Sequence, residues 1–408
     1  MAQKRSRTSS KRLGVWIFGA YGGLATTVVV GARAIAKGLT APQGLATETD
    51  VAREIAWRPM DRMVFGGHEI RSSNFADAAA EIHSKTGTLP PELVRKLKRD
   101  LTAQSKNVVS GAMPNAGATI EGLADAPKRG DATLRQQVRR IQRDIRAFQT
   151  RQKLERVVCV NLTSTEPGLR LGAAHRSLAA LERALDKDNR RAVRPSTLYA
   201  YAAASLGLPF VHFTPSNSAL VPAVRELFAR NGAPFMGADG KTGETLVKSA
   251  LAPMFRYRDL RVLSWQGYNI LGDRDGRVLS DSDNKKSKVD SKDALLPSIL
   301  GYPLHTHVGI DYVPSLHDLK TAWDFVHFEG FLGFKMAMQF IWQGCDAILA
   351  APLVLDLVRF ADLAAARGEA GPMPHLACFF KQPFDVEEHD LHKQWEMLSR
   401  YLDGVRNG

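Results

Sequence analysis

The chain has 408 residues, of which 44% are apolar and 24% are charged. At roughly 150 residues per domain, this length predicts two to three domains, and the composition excludes a mostly disordered chain. Lys and Arg exceed Asp and Glu by 13, an excess that favours a nucleic-acid or membrane surface as partner if the charge is spread over a folded face.

The positive charge is instead concentrated in two places. Residues 1–12 carry a net charge of +5 and residues 128–156 carry +7, so the remaining chain is nearly neutral. Residues 1–11 are predicted to be a disordered basic tail. The second cluster surrounds a predicted helix whose outer faces are arginine-rich and whose apolar stripe is formed by Leu134, Val138, Ile141, Ile145 and Phe148. Neither cluster carries a chemical motif, so we expect no nucleic-acid partner.

The first apolar segment runs without a charge from Leu13 to Ala32. An uncharged run of this length also resembles a signal peptide or a membrane helix. Its five glycines divide it into a predicted strand over 13–18, a turn over 19–23 and a helix over 24–36, so we expect no membrane segment. A glycine turn between a strand and a helix suits a dinucleotide pyrophosphate, although the pattern is not a clean GxGxxG and packing glycines would look similar.

Three more short apolar strands follow, over 107–111, 157–162 and 209–213. The last two are followed by small polar residues, at 163–167 and 214–218. Strands that alternate with helices in this way predict an α/β fold, a Rossmann-like doubly wound parallel sheet whose ligands bind at the carboxyl ends of the strands.

The character of the sequence changes near residue 237. A glycine- and hydroxyl-rich loop leads into a predicted helix over 245–255 and a strand over 260–264, and a long polar segment then covers 268–292. A strand over 304–310 and a helix over 321–334 are predicted before an apolar pattern returns at 345–360. We therefore expect an inserted α+β catalytic and oligomerisation domain over 237–345, with 12–236 and 346–408 forming the nucleotide-binding domain.

Three groups of residues could carry chemistry. The loop Asp239–Thr245 resembles an anion-binding turn, although a solvent-exposed turn that caps a helix is the alternative. The order and spacing of its Gly, Lys and Thr residues exclude the P-loop of an ATPase. The polar segment places carboxylates beside a dense lysine set that could bind phosphate and move protons from carbon, although a solvated loop is the plainer alternative. His305 and His307 share one face of a strand, which is a weak metal signal. Cys159, Cys345 and Cys378 form no CxxC pair, which favours a reducing cytoplasm.

Several long motifs resemble those of the myo-inositol-1-phosphate synthase (inositol-3-phosphate synthase) family, as in a divergent, prokaryote-like member. The resemblance runs from Leu13 to Phe384 and is strongest from Phe213 to Asp356. It is carried by Thr-Pro-Ser-Asn-Ser at 214–218, Gly-Ala-Asp-Gly-Lys-Thr-Gly-Glu-Thr at 237–245, Tyr-Asn-Ile-Leu-Gly-Asp-Arg-Asp-Gly at 268–276, and the Ser-Lys pairs at 287–288 and 291–292. Asp318, Lys320 and the segment from Asp346 to Leu353 fall in register with it.

The resemblance implies an isomerase that holds NAD tightly and recycles it internally. Such enzymes oxidise C5 of D-glucose 6-phosphate, enolise C6, close the ring by an intramolecular aldol step and reduce the ketone to give 1D-myo-inositol 3-phosphate. It also implies a cytoplasmic homotetramer that serves inositol and phospholipid biosynthesis. Whether a divalent metal or a monovalent cation assists the aldol step stays open.

The site residues that the resemblance implies fall into three groups. The catalytic group is Lys288, Lys320, Lys381, Asp239 and Asp346. The substrate-binding group is Thr242, Gly243, Asn269, Leu271, Asp273 and Lys292. The cofactor-binding group is Gly19, Ala20, Tyr21, Gly22, Gly23, Leu24, Thr163, Ser216, Asn217, Asp239, Asp275 and Asp346.

The chain also departs from the family pattern. Ala112 and Met113 stand where an acidic ribose ligand is expected after a strand, which leaves NAD and NADP both open as cofactors. Glu244 replaces a glutamine and would add negative charge near a phosphate. These differences leave a related sugar-phosphate cyclase, which makes another cyclitol or carbocycle phosphate, as the alternative function.

Overall fold

The computed structural model describes residues 11–126, 133–272 and 295–407. Its first sheet contains the strands β1 (Leu13–Phe18), β2 (Met63–Glu69), β3 (Val108–Ser110), β4 (Arg156–Asn161), β5 (Phe210–His212), β6 (Pro234–Gly237) and β11 (Gly371–Pro372). All paired strands of this sheet run parallel, in the order β11-β6-β5-β4-β1-β2-β3. The predicted α/β fold with a Rossmann-like, doubly wound parallel sheet is confirmed.

Helices cover both faces of this sheet. One face packs against α1 (Gly23–Ala36), α2 (Phe75–Thr86), α3 (Pro91–Ser105), α11 (Asp346–Ala366) and α12 (Leu391–Asn407). The other packs against α5 (Leu134–Arg151), α6 (Leu178–Asp186), α7 (Pro195–Ser205) and α8 (Pro222–Arg230), and the short helix α4 covers Ala118–Glu121. The central strands β1 and β4 are buried on both faces and are therefore largely apolar along their length.

Local sequence explains where several helices begin and end. Helix α5 begins at a capping box, in which the Thr133 hydroxyl accepts from the Gln136 N–H and the Gln136 side chain accepts from the Thr133 N–H. Helix α2 begins after the Asn74 side chain and ends at Gly87, whose φ of 69° is the left-handed conformation that glycine adopts easily. The arginine-rich helix that the sequence predicts over 134–148 is confirmed, and the structure extends it to Arg151.

The second sheet has four strands in the order β10-β9-β7-β8: β7 (Arg261–Leu271), β8 (His305–Tyr312), β9 (Leu319–Glu329) and β10 (Lys335–Cys345). Strands β7 and β8 are parallel, and the other two pairings are antiparallel. Helices α9 (Gly243–Tyr257) and α10 (Leu295–Leu300) pack on one face of this sheet around the buried Trp265 and Phe255. This separate mixed sheet lies within the segment where the sequence character changes.

Two predictions of local structure were wrong. Residues 321–334 were predicted as a helix, but they belong mainly to β9, in which Ala322, Asp324 and Val326 alternate inward as a strand requires. The strand over 107–111 exists as β3, but it is a half-buried edge strand, and the neighbour of β1 on that side is β2, which the sequence reasoning missed. Within the described residues, no helix is long and apolar enough to cross a membrane.

Candidate functional site

A cavity of about 1020 Å³ lies where the parallel strands end and the mixed sheet begins. Residues that follow β1, β2, β4, β5 and β6 line it, together with residues of β7 and β9 and the first turn of α11. The carboxyl ends of the parallel strands therefore form one side of the cavity, where doubly wound sheets bind their ligands.

The glycine turn after β1 forms the nucleotide end of this cavity. Gly19 has a φ of 84°, and a Cβ there would lie 2.9 Å from the Leu162 carbonyl oxygen, so the turn needs glycine at this position. Gly22, Gly23 and Leu24 face the cavity at the beginning of α1. The first N–H groups of a helix have no partner within the helix, so this end suits a pyrophosphate.

Ala20 and Tyr21 differ in how they face the cavity. The Ala20 side chain is fully buried in the core, whereas Tyr21 lines the cavity wall. Burial raises the pKa of the Tyr21 hydroxyl to about 12, so this residue stays neutral. Both residues are held through main-chain donors, because the Ala20 N–H binds the His68 carbonyl oxygen and the Tyr21 N–H binds a carboxylate.

That carboxylate belongs to Glu69, the last residue of β2, which the sequence reasoning missed. Glu69 Oε2 accepts from the Tyr21 N–H at 2.6 Å, and Oε1 accepts from the Ile70 N–H at 2.8 Å. An acidic residue at the end of the strand beside the glycine turn is the usual ligand of the nucleotide ribose. Glu69 lines the cavity and is therefore a candidate for the acidic group expected after Gly111. The sequence signal that could have identified Glu69 is an acidic residue shortly after the glycine pair 66–67.

The structure separates the remaining predicted cofactor residues. Thr163 lines the cavity, and its hydroxyl donates to Asn161 Oδ1 at 2.9 Å. Ser216 and Asn217 do not line it. The Ser216 hydroxyl accepts from the buried Glu166 N–H, and the exposed Asn217 binds both main-chain groups of Leu169. These two side chains therefore stabilise the loops after β4 and β5.

Another part of the cavity, which the sequence predicts to be its reacting end, contains a first lysine–carboxylate pair. Asp239 follows β6 in a left-handed conformation, with a φ of 59°, and is nearly buried. Its Oδ1 accepts from Lys381 Nζ at 2.9 Å, while Oδ2 is buried and has no hydrogen-bond partner among the described residues. Asp239 thus pairs with a cation and also keeps an acceptor for a ligand.

A second lysine–carboxylate pair lies beside the first turn of α9. Lys320 Nζ on β9 donates to Asp346 Oδ2 at 3.2 Å, and the Thr242 hydroxyl donates to Asp346 Oδ1 at 3.5 Å. A Cβ on Gly243 would lie 3.4 Å from Asp346 Oδ1 and 3.7 Å from Lys320 Nζ. The predicted residues Thr242, Gly243, Lys320 and Asp346 are therefore brought together.

Asn269 and Leu271 line the cavity from β7. The Asn269 amide nitrogen donates to Glu244 Oε2 at 2.5 Å, and its Oδ1 is buried without a described partner. Glu244 in turn pairs with Lys248 at 2.6 Å, and Lys248 lies 3.7 Å from Asp324. The negative charge that Glu244 was expected to add is therefore paired with a buried lysine on the same helix.

Some predicted residues cannot be placed. Asp273, Asp275, Lys288 and Lys292 lie outside the described residues. His305 and His307 share a face of β8 as predicted, and both are exposed. Within residues 11–126, 133–272 and 295–407, no group of three or more His, Cys, Asp or Glu side chains is arranged to hold a metal ion.

Comparisons with known proteins agree with this geometry. A family model for NAD-binding myo-inositol-1-phosphate synthases matches residues 54–402. The chain is 36% identical to inositol-3-phosphate synthase 1 of Bacteroides thetaiotaomicron, over 97% of this chain and 96% of the relative. It is 31% identical to inositol-3-phosphate synthase 1 of rice, over 74% of this chain and 60% of that longer protein.

Solved structures show the same fold. The inositol-3-phosphate synthase of Caenorhabditis elegans superposes with a TM-score of 0.85 at 23% identity, covering 97% of this chain and 86% of the other. A myo-inositol-1-phosphate synthase-related protein of Thermotoga maritima superposes with a TM-score of 0.78, covering 96% and 98%. With its sequence matched over nearly its whole length, the chain belongs to the myo-inositol-1-phosphate synthase family.

Proposed function

We propose that this protein cyclises D-glucose 6-phosphate to 1D-myo-inositol 3-phosphate with internally recycled NAD. The observation that carries the proposal is the meeting, in one cavity, of a glycine turn with two lysine–carboxylate pairs, Lys320–Asp346 and Lys381–Asp239. The first feature suits a nucleotide, and the second suits proton transfer and oxyanion stabilisation. A simple dehydrogenase needs no second cationic pair.

The residues at the nucleotide end fit NAD. Gly19, Gly22 and Gly23 leave room for a pyrophosphate at the first turn of α1, and Glu69 is placed for a ribose. When bound, NAD would accept a hydride from C5, whose hydroxyl loses its proton, and would return the same hydride later. The reaction is therefore an isomerisation with no net oxidation. Thr163 adds a hydroxyl to the wall of this end.

Five residues are proposed to hold the sugar phosphate. Thr242 and Gly243 present a hydroxyl and the main-chain N–H groups of the first turn of α9 to the phosphate, an arrangement that helix ends favour. Asn269 Oδ1 and Asp239 Oδ2 are buried acceptors without described partners, so each gains a hydrogen bond when a sugar hydroxyl donates to it. Leu271 packs against the apolar side of the sugar.

The lysines are proposed to carry the proton transfers. Removing a proton from C6 places negative charge on the C5 oxygen, and an ammonium in a partly buried cavity stabilises that enolate. Lys320 and Lys381 are each oriented by a carboxylate and are mostly buried. In the aldol step, one ammonium donates a proton to the oxygen that forms from the C1 aldehyde. Through the family resemblance, Lys288, Lys292, Asp273 and Asp275 are proposed to join this end of the site.

We also propose that the protein acts as a homotetramer in the cytoplasm. The outward face of the mixed sheet carries Tyr268, Ile270, Trp323 and Ile341, all exposed, and its β9–β10 turn exposes Phe331, Leu332 and Phe334. Apolar groups of this extent are typical of protein interfaces. A second copy is the proposed occupant, and the segment 237–345 is proposed as the catalytic and oligomerisation domain, between the two parts of the nucleotide domain at 12–236 and 346–408.

The test is a turnover assay with isotopically labelled glucose 6-phosphate and NAD. We expect labelled inositol 3-phosphate by mass spectrometry, without NADH accumulation, and loss of product in Lys320→Met. A panel of other sugar phosphates runs in parallel. Product from a different sugar phosphate alone would overturn the substrate assignment, and NADH accumulation without any cyclitol would overturn the cyclase itself.

A further inference from the structure

Lys241 is a buried lysine that the proposed chemistry does not use. It lies between Asp239 and Thr242 in the loop that leads into α9, and 1% of its surface is exposed. Gly240 and Thr242 on either side of it line the cavity, whereas the Lys241 side chain does not. Its Nζ donates to Gln394 Oε1 on α12 at 2.5 Å. The side chain therefore joins the cavity loop to the C-terminal helix.

The loop is already bound by its main chain. The Lys241 N–H donates to the Phe379 carbonyl oxygen at 2.8 Å, and the Lys381 N–H donates to the Asp239 carbonyl oxygen at 2.7 Å. The Ala238 N–H donates to the Gln382 carbonyl oxygen at 2.7 Å. These main-chain bonds fix the loop against the segment 379–382 and do not depend on the side chain at position 241. An apolar side chain at this position would therefore fill the same space without burying a charge.

The charge of Lys241 is nevertheless not compensated by an ion pair, although the Asp390 carboxylate acts on it from farther away. Its ammonium forms no ion pair with a carboxylate among the described residues, and its partner there is the neutral amide of Gln394. The next lysine along the chain, Lys248, is equally buried but pairs with Glu244. A buried charge without an opposite charge lowers stability, so a protein gains nothing in folding by keeping Lys241 charged.

We propose that Lys241 is a positioning residue for the cyclisation, whose buried ammonium holds the Asp239–Thr242 loop against α12 and supplies positive charge behind the reacting end. This inference rests on the function proposed above. A developing enolate is an anion, and a fixed cation in a water-poor region stabilises it more strongly than a solvated one. The buried charge of Lys241 therefore lowers the stability of the fold, and in exchange it raises the rate of the reaction.

The surroundings of Lys241 give the proposal a pH signature. Burial lowers the pKa of Lys241 from 10.5 to about 8. The titratable and polar groups that face it, from the 3-10 segment 374–379, the following loop and α12, are Cys378, Lys381, His389, Asp390 and Gln394. As the pH rises through 8, Lys241 loses its proton and its charge, so turnover should fall on the alkaline side.

The experiment compares Lys241→Met with Lys248→Met and with the exposed control Lys98→Met, all in the full-length protein with NAD. We expect Lys241→Met to lower kcat about tenfold or more, with a small change in KM and in NAD affinity. Its melting temperature at pH 7 should stay equal or rise. Lys248→Met should lower the melting temperature, because it leaves Glu244 buried without its cation. Lys98→Met should match the parent.

The pH profile separates positioning from a structural role. The alkaline limb near pH 8 should disappear in Lys241→Met and in Lys241→Arg, whose charge does not titrate in this range. In Lys241→Met alone, the buried Gln394 Oε1 loses its donor, which could itself lower stability. The double variant Lys241→Met/Gln394→Met removes both partners and controls for this effect. Unchanged kcat in Lys241→Met, or an unchanged alkaline limb, would overturn the proposal. A parent enzyme without cyclase activity would instead refute the proposed function.

Discussion

The two ends of the cavity are built from different kinds of groups. At the nucleotide end, the turn is held by main-chain N–H groups, those of Gly19 and Ala20 on the His68 carbonyl oxygen and that of Tyr21 on Glu69. At the reacting end, the contacts are between charged side chains, as in Lys381–Asp239. Main-chain geometry survives most substitutions, whereas a buried ion pair depends on both partners. Single substitutions should therefore act more severely at the reacting end.

The largest effect is expected from Lys381→Met. Removing a cation that stabilises an enolate and moves protons typically costs a factor of about 10² to 10⁴. We expect kcat to fall about 10³-fold while the NAD dissociation constant stays within about twofold, because the Lys381 ammonium pairs with Asp239, whereas the glycine turn is held by main-chain bonds to His68 and Glu69. Stopped assays and NAD titration of the same preparation measure both quantities.

Lys381→Arg is the matched control for this prediction. It keeps the charge beside Asp239, so folding should be retained even if Lys381→Met folds poorly. A Lys381→Met enzyme with near-parental kcat would show that the Asp239 pair is structural. An equal loss of NAD affinity would show that the two ends of the cavity are not separate.

The next effect concerns stability at the reacting end and is expected from Lys248→Met. Lys248 lies between Glu244 at 2.6 Å and Asp324 at 3.7 Å, and all three side chains are buried. Removing the cation takes the lysine charge away from two buried carboxylates, which should cost about 3–5 kcal/mol in the free energy of unfolding.

Denaturant unfolding of the parent, Lys248→Met and Lys248→Met/Glu244→Gln measures this effect. The second substitution removes one of these buried charges, so part of the stability should return. If Lys248→Met were as stable as the parent, the cluster around Glu244 would not be the electrostatic unit that the distances indicate.

A smaller and pH-dependent effect separates Lys241 from Lys248. The pKa of Lys241 is about 8 in the folded protein, below its ordinary value of 10.5. Between these values the unfolded chain binds more protons at this residue than the folded protein does. Lys241 therefore makes the free energy of unfolding rise as the pH increases from 8 to 10.5. Below pH 8, the loss of stability caused by burying the charged lysine is fully present.

The difference in stability between the parent and Lys241→Met isolates this contribution. From pH 8 to pH 9.5 the parent should gain about 1.5 kcal/mol relative to the variant. Chemical unfolding at the two pH values measures it, with Lys98→Met as the reference for an exposed lysine. A difference that does not change with pH would contradict the buried state of Lys241 without an ion pair.

The same contrast explains what the sequence could predict. The strand over 13–18 and its glycine turn were recognisable because a buried parallel strand is a continuous apolar run and the turn follows it directly. Glu69 was missed because β2 contains Gly66 and Gly67 and no apolar run beyond three residues. A Cβ on Gly67 would lie 2.0 Å from the Ile17 carbonyl oxygen, so close strand packing determines that composition.

At the reacting end, the residues were predictable but their partners were not. The family motifs pointed to Asp239, Lys320, Asp346 and Lys381, and all four line one cavity. The helix predicted over 321–334 failed because aromatic and β-branched residues with period two indicate a strand when one face packs on helices. The ion pair of Glu244 is set by its i, i+4 spacing to Lys248, a signal that was present in the sequence and was overlooked.

The smallest effect is expected from Glu69→Gln at the nucleotide end. Glutamine keeps one oxygen that accepts from the Tyr21 N–H, so the glycine turn should stay in place. Its NH2 group no longer accepts from the Ile70 N–H, and the charge-assisted hydrogen bond to a ribose hydroxyl is weakened. We expect NAD affinity to fall about tenfold, with kcat at saturating NAD within about twofold of the parent. Glu69→Ala also removes the acceptor of the Tyr21 N–H in the glycine turn, so it should lower NAD affinity further. A larger loss of kcat than of affinity in Glu69→Gln would mean that this end also takes part in the reaction, and the division of the cavity into a main-chain end and a charged end would fail.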